Sequence, residues 1–195
     1  MLLSIERQES YSRGQLLLRT IFGGIYIALP HVIVLSICNL WTAILGFVAW
    51  WAILFTGRHP ESMFEWQVKI RCWVYRLNAS LYNMIDSYPA IGPNGTNDQV
   101  TVDIPYPESM GRGLLLVKTF FGAIYCGVPH AICLYGRLIA TAFLNFLAWW
   151  SVLFTGNYPA GWHEFNVGTF RWMLRFDMYL NNLSDDYPPF TGKEL

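Results

Sequence analysis

The chain has 195 residues, of which 54% are hydrophobic and 13% charged, and its 13 basic and 13 acidic side chains balance. Ordinary soluble domains carry about 25% charged residues, so the composition points to a membrane rather than to water. A neutral chain also lacks the basic field with which a protein grips nucleic acid, and that partner class is excluded.

The first 15 residues are polar and charged, without the apolar core of a cleavable signal. Between Arg19 and Arg58 no Asp, Glu, Lys or Arg occurs. That run exceeds the ~20 residues one crossing needs and suits two, predicted at 16–36 and 39–56 with a turn at Ile37-Cys38 beside Asn39. Pro30 falls inside the first span and predicts a kink. Trp41 marks the far interface, and Trp50 and Trp51 the near one. The phrase AWWAILFTG closes the second span, with Gly57 suited to a left-handed C-cap and Pro60 barring continuation. Over 61–86 a helix is predicted. Glu65, Lys69, Arg76 and Asn83 stack on one stripe, and Phe64, Trp66, Ile70, Trp73 and Leu77 cover much of the rest, the pattern of an interfacial segment. It either lies on the leaflet or packs beneath the spans. Tyr88-Pro89 ends it. A linker rich in Gly, Pro and Asn follows at 91–103, and its β-like VTVDI is a candidate partner for the opening LLSIERQE.

From Ile104 the chain repeats itself. At an offset of 99 residues, Ile5–Pro89 lies on Ile104–Pro188 without a gap, with 37 of 85 pairs identical, which marks a tandem duplication. Repeat 1 is 1–90 and repeat 2 is 104–195. The second copy predicts spans at 115–135 and 138–155, a turn at Gly136-Arg137, an exit at AWWSVLFTG capped by Gly156, and an amphipathic helix at 160–185 carrying Glu164, Arg171, Arg175 and Asn182. The expected fold is therefore all-α integral membrane: four transmembrane helices as two hairpins, each followed by an amphipathic interfacial helix. Each copy crosses an even number of times, which sets the pseudo-twofold axis along the membrane normal. Only Arg137 among the basic residues falls at a hairpin tip, so the positive-inside bias places both termini and the linker in the cytoplasm.

His31 and His130 are the histidines within the spans, each after a proline, and an intramembrane ionisable group is a functional hypothesis by default. One reading is a hydrogen bond to the carbonyl that the proline frees. The others are ligation of haem or a metal, or a proton relay. No carboxylate lies near either in sequence, which favours the first. Lys69, Arg76, Arg171 and Arg175 are candidates for a lipid-headgroup or partner site, against a plainer reading as ion pairs such as Glu164–Arg171. Gly24/Ala28 and Ala123/Gly127 have the small-xxx-small spacing of close helix crossings and predict that the first spans of the two copies meet. Cys38, Cys72, Cys126 and Cys133 form no CxxC pair and imply neither zinc nor a disulfide framework. No catalytic residue, metal site or cofactor is assigned.

The second copy resembles a family of small bacterial membrane proteins known as a domain of unknown function. The likeness lies in Phe154-Thr155-Gly156, Tyr158-Pro159, Arg171-Trp172, Arg175, Asp185 and Tyr187-Pro188-Pro189-Phe190. The first copy departs from that pattern at His59, Cys72 and Ala90. The resemblance implies a bacterial inner-membrane location and carries no activity. The expected function is that of a non-catalytic structural or accessory component of a membrane assembly, with membrane lipids and other subunits, or further copies of itself, as partners. A transporter or lipid-handling protein using the cleft between the repeats is the alternative, and a haem-binding redox subunit through His31 and His130 a third.

Overall fold

A computed structural model describes residues 2–194. In chain order it holds strand β1 (Leu2–Ile5), long helix α1 (Arg13–Thr56), helix α2 (Glu61–Leu81), strand β2 (Val100–Asp103), long helix α3 (Arg112–Thr155) and helix α4 (Ala160–Leu180). Each long helix has 44 residues and is long and apolar enough to cross a membrane.

This corrects the expectation of four spans in two hairpins. Ile37-Cys38 and Gly136-Arg137 lie in unbroken α-helix, so there is no turn at either place. Arg137 needs no aqueous tip, because it folds back onto α4. Its Nε donates to Thr169 Oγ1 at 2.9 Å, its Nη2 donates to the Phe165 carbonyl at 3.1 Å, and its guanidinium lies 4.3 Å from the centre of the Phe165 ring. A charge inside an apolar run signals a turn only when no distant segment satisfies it.

The prolines are passed by widening the helix. Gly24–Ala28 and Ala123–Gly127 form π-helical turns, in which Leu29 N–H donates to the Gly24 carbonyl and Val128 N–H to that of Ala123. Leu16, Arg19, Gly23, Ile27, His31 and Leu35 are buried, a spacing of nearly four residues where an α-helix turns in about 3.6. The wide turn absorbs the drift and keeps one face of the helix inward throughout. Gly57 (φ 70°) and Gly156 (φ 72°) terminate the long helices in the left-handed conformation, as expected. The short helices stop five residues earlier than predicted, at Leu81 and Leu180, where Asn83 and Asn182 turn left-handed (φ 54° and 57°).

The two copies close each other's ends. Trp50 Nε1 donates to Thr119 Oγ1 and Trp149 Nε1 to Thr20 Oγ1, both at 2.8 Å. Met110 N–H donates to the Gly57 carbonyl and Tyr11 N–H to that of Gly156, again at 2.8 Å. Residues near the start of α1 thus meet the end of α3, and the reverse, so the long helices run antiparallel. Each short helix doubles back along its own long helix rather than standing apart from it: Trp66 Nε1 donates to Thr42 Oγ1 at 3.0 Å, Trp73 Nε1 to His31 Nδ1 at 2.7 Å, and Arg19 Nη1 to the Ser80 carbonyl at 3.3 Å. β1 and β2 pair antiparallel with Leu3 opposite Val102. Those two residues are equivalent by the 99-residue offset, so the pseudo-twofold axis passes between them. The ribbon rests on α2 and α4; Arg171 Nε donates to the Leu3 carbonyl at 2.7 Å.

The result is three layers: ribbon, short-helix pair, long-helix pair. Leu3, Ile5, Phe64, Tyr158, Leu174 and Met178 belong to the core that joins them. The long helices leave one face uncovered along their whole length, from Leu17 to Phe55 and from Leu116 to Phe154. Spin labels at the exposed positions Ile25 and Trp51 distinguish the continuous helix from a hairpin. Double electron–electron resonance should give about 39 Å at 1.5 Å per residue, where a hairpin turning at Ile37-Cys38 would bring them within about 10 Å.

Candidate functional site

His31 and His130 are fully buried, at 0% exposure, and each is held by an indole of its own short helix. Trp73 Nε1 donates to His31 Nδ1 at 2.7 Å, and Trp172 Nε1 to His130 Nδ1 at 2.8 Å. An indole N–H only donates, so Nδ1 is the acceptor nitrogen and the proton sits on Nε2. Nε2 is buried in both copies and makes no hydrogen bond to the described residues. Both ring nitrogens therefore face protein. His130 also stacks on Phe190, with centroids 3.9 Å apart and 10° between planes.

The carbonyl freed by each proline goes to a different partner from the one expected. Pro30 has no N–H for the Tyr26 carbonyl four residues back, and Tyr88 Oη donates to that carbonyl at 3.1 Å. Tyr187 Oη does the same for the Tyr125 carbonyl at 3.3 Å. Tyrosine in the segment after each short helix thus caps the proline break, and histidine locks the short helix to it.

Three of the four cationic candidates are not surface groups. Arg76, Arg171 and Arg175 are buried, and Lys69 is exposed. Arg76 donates to the Gly92 carbonyl at 3.0 Å, and Arg175 to the carbonyls of Thr191 (3.2 Å) and Lys193 (2.6 Å). Arg171 pairs with Glu164 and Glu194. These groups tie down the segments that follow α2 and α4, because a buried guanidinium needs acceptors more than it needs a ligand. Gly24, Ala28, Ala123 and Gly127 form the π turns; nothing lies within 4 Å of a Cβ built on Gly24, and each first half-helix meets the other copy's second half instead of its equivalent.

Arg19 and Lys118 escaped the sequence reading, although both are basic at one repeat position. Arg19 donates to the carbonyls of Ser80, Ile85, Asp86 and Ser87. Lys118 Nζ donates to the Ser184 carbonyl and to Asp185 Oδ1, each at 2.7 Å. Asp86 and Asp185 in turn accept from the backbone N–H of Ser12 (2.7 Å) and Gly111 (2.6 Å) at the long-helix starts.

One further pair has been exchanged between the copies. His59 packs edge-on against Phe64 at 5.6 Å, while Tyr158 packs edge-on against His163 at 5.4 Å. The histidine has moved from the first partner to the second, with one imidazole kept at each junction. Burial, reinforced by Arg7 and Arg171, pushes the His163 pKa down to about 4; burial also lowers that of His59.

What is not duplicated lies between the copies. A cavity of about 870 Å³ is lined by Asn39, Arg71 and Tyr75 from the first and by Leu134, Phe176 and Asp177 from the second, among others. Arg71 and Asp177 form an ion pair across it. At the repeat-equivalent positions stand Phe170 and Asn78, and there the Phe170 ring packs on Tyr82 (5.2 Å) and Tyr75 (5.9 Å). Among the described residues no group of three or more His, Cys, Asp or Glu is placed to hold a metal ion.

These features define an all-α protein made by duplicating one unit of long apolar helix and short amphipathic helix. The family model described as domain of unknown function (DUF4389) matches residues 14–91 and 118–192. The chain belongs to that family and carries its domain twice. No curated protein and no solved structure matches it.

Two outcomes follow. Trp73→Phe removes the donor to a buried imidazole nitrogen and should cost about 1–3 kcal/mol, with Trp172→Phe costing a similar amount; thermal unfolding of the single and double variants in detergent checks both. His163 is neutral in the folded chain well below its ordinary pKa of 6.5, so the unfolded chain binds the extra proton and stability falls as pH drops from ~6.5 toward ~4. His163→Phe, which installs the residue found at position 64, should keep the fold and lessen the fall in Tm between pH 7 and 4.5.

Proposed function

We propose that the protein is a non-catalytic membrane protein, a structural or accessory component of an assembly in the bacterial inner membrane. The continuous apolar face of the two long helices carries this reading. Leu17 to Phe55 and Leu116 to Phe154 present large aliphatic and aromatic side chains to the outside. Soluble monomers rarely expose apolar patches above about 300–600 Å². The buried polar devices support a structural role: the Trp–His bonds, the tyrosines on the proline breaks, the arginines on the tails and the aspartates on the helix starts all hold one part of the frame to another. The ribbon and the short helices lie on the side away from the apolar face, which suits one aqueous compartment for both termini. The partners on this reading are membrane lipids together with other membrane-protein subunits or a further copy of the chain.

The cavity between the copies favours a second reading, the handling of a small amphiphile. Its apolar walls and its single ion pair suit a molecule with an aliphatic part and a polar end. Extraction of the tagged protein in native lipid discs, followed by mass spectrometry, separates the two. A protein partner held in fixed stoichiometry is the expected result, and a chain that emerges alone with one retained amphiphile would move the assignment to the second reading.

A further inference from the structure

We infer that the two long helices lie in the plane of one leaflet instead of crossing the bilayer. The inference rests on the membrane reading above and specifies how the membrane is met.

Length is the first reason. The exposed apolar face from Leu17 to Phe55 covers about 39 residues, or ~58 Å of helix, against a hydrocarbon core of ~30 Å. Fitting it across would need a tilt of roughly 60°, beyond the ~40° limit of observed spans. The companion layer is the second reason. The α2 helix lies against the middle of α1 through the Trp73–His31 and Trp66–Thr42 bonds, and it exposes Glu61, Glu65 and Lys69. The ribbon, with exposed Glu6, Arg7 and Asp103 beside it, rests on the short helices. Crossing helices would drag these charges into the hydrocarbon, where each is costly. Lying flat, the long helices sink their apolar face and leave the other two layers in water.

The chemistry of the face fits a lipid monolayer. From Ser10 to Pro60 and from Ser109 to His163 there is no Asp or Glu. The exposed charges in those stretches are Arg13, Arg58 and Arg112, all at the ends of the long helices, which complements anionic headgroups at the rim. Trp51 and Trp150 are exposed near the same ends, a place where indoles favour the interface. The hydroxyls of Thr20, Ser36, Thr56, Thr119 and Thr155 each donate to the carbonyl four residues back. They therefore ask nothing of the surrounding medium, as hydrocarbon requires.

The test uses the full chain with its four cysteines replaced, reconstituted in vesicles of phosphatidylethanolamine and phosphatidylglycerol. Single spin labels at Ile21, Ile37 and Phe55, and at Phe120, Ile132 and Phe154, report depth from the ratio of oxygen to nickel-chelate collisions. All six positions are exposed, so the labels leave the packing intact, and circular dichroism checks that they do. The expected result is one common shallow depth, about 5–10 Å below the headgroups. A profile deepest at Ile37 and Ile132 and shallow at the ends would establish crossing helices; it overturns the inference and spares the membrane reading. Full nickel access at every position would overturn both. Exclusion of both reagents would mean that a second copy covers the face, which also overturns the inference.

Discussion

A hydrogen bond between two buried rings, made once in each copy, governs how this chain packs. The Trp73 indole on His31, and the Trp172 indole on His130, fix which face of a 44-residue apolar helix turns inward. An imidazole buried with both nitrogens unpaired is unfavourable by several kcal/mol, so the short helix must lie where its indole reaches. Once it lies there, Arg19 or Lys118 can gather the segment beyond it, Asp86 or Asp185 can cap the start of the long helix, and Tyr88 or Tyr187 can cover the carbonyl opened by the proline. The aromatic, the acid and the proline of the closing motif answer to one geometric demand, a long helix interrupted by Pro and stripped of water.

Duplication separates frame from specialisation. Devices that occur in both copies at the 99-residue offset maintain the unit. The crossed Trp–Thr bonds and the ribbon centred on Leu3 and Val102 join two units by a near-symmetric exchange. The Arg71–Asp177 pair has no counterpart at Phe170 and Asn78. There Phe170 of the second copy packs its ring on Tyr75 and Tyr82 of the first. The cavity is one of the places where the two halves differ.

The face that remains uncovered also explains the odd placement of Arg137. A guanidinium in the middle of an apolar helix is tolerable only if it leaves the apolar side, and Arg137 does so by reaching across to Thr169 and Phe165 on α4. Its repeat equivalent is Cys38, which needs no such escape. The surface presented by the long helices is thereby kept free of charge along their length, with cations confined to the ends.

Much of this was legible from residues alone, because local rules decide it. The offset repeat, the glycine-capped ends at Gly57 and Gly156, the short amphipathic helices and the pairing of the two β-like segments all follow from patterns a few residues long or from direct self-comparison. The number of helices did not. Gly136-Arg137 reads as a turn when only neighbours are considered, and the structure makes it helix because a partner 28 to 32 residues away takes the charge. The roles of Arg76, Arg171 and Arg175 were hidden for the same reason: a cation on a helical stripe has the same spacing whether it faces headgroups or a buried carbonyl. Sequence by itself determined composition, periodicity and duplication, which are properties of short range. Tertiary structure alone decided where each buried polar group finds its partner, since that pairing is a long-range choice set by desolvation and not by the residues on either side.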